Sequence, residues 1–348
     1  MRYFFLPTLV LFVLACSSKD ANVEIENSQD LPIQNVDSLF NVIAFGSCNH
    51  EEDNQSYWNV VSSFSPDSWI WMGDNIYGDT EDMQVLASKY RMLKENSYYA
   101  SFIDKVKVYG TWDDHDYGVN DGNKSYPKKE ESKALLLDFL DVPKGSKVYS
   151  RAGVYQSYII GDAGRKVKLI LLDTRSFQDP LEKNLTRNPR YHKSDGDILG
   201  DDQWQWLERQ LMDTTALTII VSSIQFIPDD QIYEKWGNFP KSKERMLSLL
   251  ESKGHNKYLF LSGDRHISEI SKMTLDGQEL FEATSSGLTH SWEDCKEQNS
   301  YRVSPLMTET SFGLMLFDWK ENVFDLKLQI VSTKGEVLYT HSLGEFEI

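Results

Sequence analysis

The sequence has little positive charge. It contains 36 lysine and arginine residues and 53 aspartate and glutamate residues, so the formal net charge is -17. A chain of this charge repels nucleic-acid phosphates, and we expect no nucleic-acid partner. A small anionic substrate can still bind where cations are concentrated in a pocket. We expect a monomer.

Long apolar runs are also scarce. The run from Phe4 to Ala15 is too short for a transmembrane helix. It follows Met1-Arg2 and ends in Val13-Leu14-Ala15-Cys16, which resembles a bacterial lipobox, in which the cysteine becomes the lipidated first residue of the mature protein. The alternative is an ordinary secretory signal with an accidental cysteine. We expect an exported bacterial lipoprotein with a lipid membrane anchor at Cys16, facing the periplasm or the cell surface.

Internal repeats and low-complexity blocks are absent from the sequence. The 348 residues suit one large α/β domain or two smaller ones. We predict a signal peptide over 1–16, a polar tether over 17–38 and a folded region over 39–348.

Cysteine is rare, with three residues in the chain. If Cys16 carries lipid, then Cys48 and Cys295 remain, and they could form a disulfide in an oxidising compartment. Alternatively, Cys48 is a metal ligand, or simply a small buried residue.

Six apolar runs are each followed by polar residues that can bind ligands. These residues are Ser47-Cys48, Gly73-Asp74, Asp113 to Asp116, Asp173 to Arg175, Ser222 to Gln225 and Gly263 to His266. If the six runs are neighbours in a mostly parallel sheet, all six clusters meet at one edge of that sheet. Each cluster alone is also compatible with an ordinary polar turn. The combination of cysteine, tyrosine, aspartate and histidine favours a metal site.

The residue types indicate two kinds of metal position. Cys48 and Tyr77 offer anionic donors that suit a metal such as ferric iron. Oxygen donors that suit calcium, magnesium or manganese come from Asp114, Asn120 and Asp264. Asp74 lies between these two sets in the sequence, and we predict that its carboxylate bridges two ions.

Five motifs in this order resemble the alkaline phosphatase D family, a branch of the calcineurin-like metallophosphoesterases. They are Gly46-Ser47-Cys48-Asn49, Gly73-Asp74-Asn75-Ile76-Tyr77, Trp112-Asp113-Asp114-His115-Asp116, Leu172-Asp173-Thr174-Arg175 and Gly263-Asp264-Arg265-His266. The resemblance implies a PhoD-like metallophosphatase domain over 39–348, with an α/β fold of the four-layer α/β/β/α sandwich type and mixed sheets. It also implies ferric iron with calcium ions (other divalent metals being alternatives), and His266 as a further metal ligand. The implied activity is hydrolysis of small phosphate mono- and diesters.

Three residues are candidates for catalysis on this interpretation. His115 could stabilise developing charge or protonate the leaving group, or it could be a structural histidine held by Asp114 or Asp116. Arg175 and Arg265 could clamp phosphate through bidentate hydrogen bonds, or could pair with surplus aspartates.

Apolar periodicity also predicts secondary structure. Helices are expected over 54–64, 81–94, 127–140, 201–212 and 241–253, and an antiparallel set of strands after residue 267. We assign no site role to His50, whereas His290 could reach the pocket. Two rival functions remain: a lipoprotein that binds a phosphorylated ligand without turnover, and a hydrolase of a different ester on the same scaffold.

Overall fold

The computed structural model describes residue 1 and residues 40–162, 165–186, 188–213, 215–254 and 257–348. The predicted signal peptide, the lipidation site Cys16 and the tether therefore lie outside the described residues. Within these described ranges, no helix combines the length and apolar character that a membrane crossing needs.

Twelve strands in the described chain are numbered in sequence order and form two six-stranded sheets. The strands are β1 (Val42–Gly46), β2 (Ser68–Met72), β3 (Lys107–Thr111), β4 (Gln156–Asp162), β5 (Arg165–Leu171), β6 (Thr218–Val221), β7 (Tyr258–Ser262), β8 (Ser268–Leu275), β9 (Gln278–Ser285), β10 (Ser311–Trp319), β11 (Val323–Ser332) and β12 (Val337–Glu347). The first sheet has the order β12-β11-β10-β1-β2-β3 and the second β4-β5-β6-β7-β9-β8. Both sheets are mixed, as predicted.

The parallel strands are neighbours within each sheet, on one side of the first sheet and in the middle of the second. β1, β2 and β3 run parallel in the first sheet, and β5, β6, β7 and β9 in the second. Because parallel strands are covered on both faces, they read as unbroken apolar runs, and every residue of β2 and β7 is buried. β4 and β5, which follow one another in the sequence, form an antiparallel pair.

Helices accompany both sheets. They are α1 (Tyr57–Ser63), α2 (Met83–Glu95), α3 (Ser97–Ile103), α4 (Asp114–Tyr117), α5 (Lys129–Phe139), α6 (Gly200–Gln210) and α7 (Pro240–Glu251), together with short 3₁₀ turns at Lys147–Ser150 and Trp236–Asn238. The five predicted helices are confirmed and each is shorter than predicted, although α2 ends one residue later and α6 and α7 each begin one residue earlier than predicted. Neither α3 nor the single turn α4 was predicted.

Three clusters of buried apolar side chains pack the helices and the two sheets against one another. One lies between the two sheets and includes Phe45, Leu171 and Leu261. A second joins the first sheet to α1, α2, α3 and α5 and contains Trp58 and Trp71, while a third joins the second sheet to α6 and α7. This arrangement is consistent with the expected α/β/β/α order.

The expectation that six apolar runs share one parallel sheet was wrong. β1, β2 and β3 belong to one sheet, whereas β5, β6 and β7 belong to the other. The polar clusters still meet, because the carboxyl ends of both parallel sets face each other. Thr111 at the end of β3 donates a 2.7 Å hydrogen bond to the carbonyl oxygen of Leu172, just beyond β5.

The tail after residue 267 is antiparallel only in part. β10, β11 and β12 pair antiparallel, and so do β8 and β9, as predicted. However, β9 runs parallel to β7, which continues the parallel set of the second sheet.

Candidate metal centre

The strand-end loops are held in place by one buried carboxylate, Asp116. Its side chain accepts hydrogen bonds from the backbone N–H groups of Asp74 (3.1 Å) and Asp113 (2.7 Å). It also accepts one from Asn75 Nδ2 at 2.6 Å. Asp116 therefore ties the loop after β2 to the loop after β3, and fixes the two loops that carry Asp74 and Asp114.

Four of the predicted metal ligands have left-handed backbone geometry. The φ angles of Cys48, Asp74, Asp264 and His266 are 59°, 49°, 64° and 54°. Residues other than glycine seldom adopt this region, and such strain concentrates at functional sites. Beside Asp74, Gly73 has φ 97°, and a Cβ there would lie 2.5 Å from the Cβ of Asp113. The loops are thus packed too closely for a larger residue.

The site contains three overlapping groups of potential ligands. Within each group the candidate ligand atoms lie within 4.8 Å of one another. The groups are Cys48, Asp74 and His266; Asp74, Asp114 and His115; and Asp113, Asp114 and Asp264. Asp74 belongs to two groups and Asp114 to two, so the structure places the shared carboxylates between neighbouring positions.

The sulfur-containing end of the site is buried. Cys48 Sγ lies 3.3 Å from Asp74 Oδ2 and 3.0 Å from Ser286 Oγ. Tyr77 OH lies 3.1 Å from His266 Nε2. The structure thus brings Cys48, Asp74, Tyr77 and His266 together, as the sequence predicted they would be.

The oxygen-rich end of the site is nearer to solvent. Asp114 Oδ2 accepts a hydrogen bond from the backbone N–H of Asp121 at 2.6 Å and lies 3.4 Å from Asn120 Nδ2. Asp264 shares a cavity of ≈ 430 Å³ with Asp114 and Asn120. The structure therefore places these three predicted ligands around one opening.

Several buried polar atoms at the site have no hydrogen-bond partner among the described residues. They include Asp74 Oδ1, Asp113 Oδ2 and Asp114 Oδ1. A buried carboxylate oxygen without a partner is costly, since its lost hydration is not replaced. A thiol, a phenol, an imidazole and several carboxylates that converge in this way fit more than one metal ion.

Burial disfavours the anionic forms of these groups. It raises the pKa of the Cys48 thiol to about 11, and hydrogen bonding to Ser286 offsets this effect only in part. Burial, followed by the neighbouring Cys48, also raises the pKa of Asp74 well above its ordinary value. Bound cations would reverse this trend, because they favour deprotonated ligands.

His115 is held by a carboxylate that the sequence analysis overlooked. Its Nδ1 lies 2.8 Å and 2.9 Å from the two carboxylate oxygens of Asp79, so the expected partners Asp114 and Asp116 are replaced. Burial alone would lower the pKa of His115, but the charges of Asp74, Asp79 and Asp114 raise it to about 10. His115 is thus positioned and charged by acids from two loops.

Arg175 is fully buried within an ion-pair network. Its Nε donates to Asp113 at 2.5 Å and its Nη1 donates to Glu234 at 2.6 Å. Its Nη2 has no hydrogen-bond partner and lies 3.9 Å from Asp114 Oδ1. The structure places this guanidinium behind the acidic groups, while a role in phosphate binding stays a prediction.

Arg265 lines the mouth of the cavity. It pairs with Glu297, rather than with an aspartate, and its guanidinium lies 4.6 Å from the ring centre of Tyr233. Tyr233 packs edge-on against Trp292 at 5.8 Å, and Arg190 lies 5.7 Å from the same tyrosine ring. The mouth thus combines two guanidinium groups with two aromatic walls.

The structure also places three other residues that the sequence analysis considered, namely His50, Cys295 and His290. His50 was given no site role, yet its ring stacks on Tyr77 with centroids 5.0 Å apart. Cys48 and Cys295 do not form a disulfide, since both are free and buried. His290, which was expected to be able to reach the pocket, packs edge-on against His266 at 4.5 Å.

The fold and the site together define the class of protein: a two-sheet α/β protein with a candidate site for several metal ions between the carboxyl ends of its parallel strands. The chain belongs to the PhoD-like phosphatase family, whose sequence model matches residues 43–302.

Two known proteins are similar to the chain. Alkaline phosphatase D of Bacillus subtilis (strain 168) is 28% identical over 196 residues, which cover 51% of this chain and 33% of that protein. The chain therefore matches about a third of the length of this curated relative. A solved PhoD structure aligns with a TM-score of 0.63 and 18% identity, covering 88% of this chain and 69% of that one. At this identity the structural match supports the fold alone.

Proposed function

We propose that the chain is a metal-dependent phosphoric ester hydrolase. The observation that carries the proposal is that ligand atoms of Asp74, Asp114 and His115 lie within 4.8 Å of one another, beside a cavity lined by Asp114, His115 and Arg265. One carboxylate oxygen each of Asp74 and Asp114 is buried without a hydrogen-bond partner among the described residues. Membership of the PhoD-like phosphatase family supports phosphate esters as the substrate class.

We assign ferric iron to Cys48, Asp74, Tyr77 and His266, because thiolate and phenolate are strong anionic donors. We assign calcium to the oxygen-rich end at Asp74, Asp114, Asn120 and Asp264. The chemistry that such cations supply is neutralisation of phosphoryl charge and a lowered pKa of bound water.

Side chains of the protein supply the proton transfer, the phosphate binding and the contacts to the leaving group. Since Asp79 occupies Nδ1 of His115, the other ring nitrogen is available to deliver a proton to the leaving oxygen. The guanidinium of Arg265 can pair with phosphoryl oxygens at the mouth. Tyr233 and Trp292 are placed to contact an organic leaving group.

Turnover of two chromogenic esters tests the proposal. The purified chain, supplied with iron and calcium, should hydrolyse p-nitrophenyl phosphate or bis-p-nitrophenyl phosphate. Asp114→Asn should abolish turnover, whereas Asp53→Asn, which changes an exposed carboxylate, should not. If wild type and Asp114→Asn release nitrophenol equally slowly, the chain does not hydrolyse these phosphate esters and the ligand-binding alternative is favoured.

The metal assignment has its own measurement. Tyrosinate or thiolate bound to ferric iron should give visible absorption in the purified chain. A colourless protein whose metal analysis shows only zinc would contradict the iron assignment.

We also propose export and lipidation at Cys16, which the apolar run and the lipobox-like end of residues 1–16 support. Metabolic labelling with palmitate should mark the wild-type chain and not Cys16→Ser. An unlabelled wild-type chain would contradict this proposal.

A further inference from the structure

A second cavity of ≈ 420 Å³ lies between the outer edges of the two sheets. In the described part of the chain, β3 ends the first sheet and β4 ends the second. The cavity between them is closed by residues 140–148 and by Trp206 of α6. Its lining residues and those of the cavity at the metal centre do not overlap.

One buried amide in this cavity lacks a partner. Gln156 is 6% exposed, and its Oε1 accepts a 2.8 Å hydrogen bond from Tyr158 OH. Its Nε2 has no hydrogen-bond partner. Because the tyrosine hydroxyl can donate or accept, reversing the amide would still leave one polar atom unpaired. A buried polar atom of this kind indicates a missing ligand atom or water.

The cavity has a cationic lining. Lys107, Lys147 and Arg151 contribute three positive charges. The one lining carboxylate, Asp141, is already paired with Lys94 at 2.6 Å. In a chain with a net charge of -17, this local excess of cations favours an anionic occupant.

Aromatic rings form the other walls. Tyr109 and Tyr158 lie 4.7 Å apart at their ring centres, with Trp206 also in the lining. The Arg151 guanidinium lies 5.4 Å from the Trp206 ring and donates to the carbonyl oxygen of Tyr155, so its position is fixed. Mostly apolar walls with a few convergent polar groups are typical of small-molecule sites, and the volume lies in their usual range.

We propose that this cavity binds a small organic anion that carries an aromatic ring. The ring packs between the tyrosines and Trp206, and the anionic group pairs with Lys107 and Arg151. The Gln156 amide then gains the hydrogen bond that it lacks.

The probe is 2-naphthalenesulfonate, which has an aromatic ring, a fixed charge and no ester bond. Isothermal titration of the full chain should show one saturable site per chain. Lys107→Gln should weaken binding by about tenfold, as expected for loss of a charged hydrogen bond. The matched control Lys105→Gln changes an exposed lysine outside the cavity and should leave affinity unchanged. Absence of saturable binding, or equal effects of the two variants, would overturn the proposal.

A measurement on the unaltered chain guards against misfolded variants. Lysine acetylation is followed by mass spectrometry with and without the probe. The probe should protect Lys107 and leave Lys105 as reactive as before. Unchanged reactivity at Lys107 with the probe at saturation would also overturn the proposal. Two control ligands separate the contributions of charge and ring: inorganic sulfate carries the charge without a ring, and 2-naphthol carries the ring without the charge. Both should bind more weakly than 2-naphthalenesulfonate.

Discussion

Replacing Arg175 by methionine should destabilise the fold far more than it weakens substrate binding. Methionine fills much of the same volume but cannot pair with Asp113 or Glu234, which are held at 2.5 Å and 2.6 Å. Removing one partner of a buried ion pair costs roughly 3–5 kcal/mol, because the remaining charge stays buried and unpaired. The midpoint of urea unfolding should therefore fall by on the order of 1 M.

The second partner, Glu234, gives an internal check on this magnitude. In the Arg175→Met variant, the buried negative charge of Glu234 has lost its arginine partner. Adding Glu234→Gln removes that unpaired charge. The double variant should therefore lose less free energy of unfolding than the sum of the two single changes, as neighbours in one network do. Additive effects would show that the pair is not coupled.

Urea unfolding followed by far-UV circular dichroism is the assay, with ester kinetics measured on the same preparations. Arg91→Met, on an exposed position of α2, is the matched control and should change stability by less than about 0.5 kcal/mol. An unchanged unfolding midpoint, together with a KM raised tenfold for Arg175→Met, would refute the structural role and favour phosphate binding.

Three further predictions follow from single contacts. Asp116→Asn should cost about 2–3 kcal/mol and lower kcat, since its new amide nitrogen meets N–H donors; unchanged urea unfolding would contradict this. Cys48→Ala should lose iron and its visible absorption but keep the far-UV spectrum, and a variant that retains full iron would refute the ligand role. Arg265→Met should raise KM about tenfold with little change in kcat. Its control, Glu297→Gln, frees the same guanidinium and should not raise KM.

The strand runs were predictable from the sequence, but their division into two sheets was not. Every residue of β2 and of β7 is buried, and an unbroken apolar run does not indicate which sheet it joins. The assignment depends on contacts such as that of Thr111 with Leu172, 61 residues apart. α3 was missed because its N-cap, Asn96, directly follows the end of α2.

At the site, residue types were predictable and orientations were not. The motifs were sufficient to predict Cys48 and Tyr77 as metal ligands. Nothing in the local sequence indicated that Asp79 contacts His115, 36 residues away. Asp116 was noted as part of a motif and as a possible partner of His115, whereas in the structure its carboxylate joins two loops. Its signal was an aspartate two residues after a predicted ligand, which is too common to interpret alone.

Arg175 and Arg265 differ in the negative charges that they neutralise. Arg175 is committed to buried carboxylates behind the site, so it cannot also make the entrance attractive to an anion. Arg265 stands at the entrance, but four carboxylates line the same cavity: Asp114, Asp121, Glu234 and Asp264. Asp121 is paired with Lys183 and Arg190, and Glu234 is paired with Arg175. Asp114 and Asp264 would still repel a phosphate ester if no cation bound them. If cations bind the carboxylates as proposed, the local charge reverses, and metal loading becomes a condition for substrate binding as well as for chemistry.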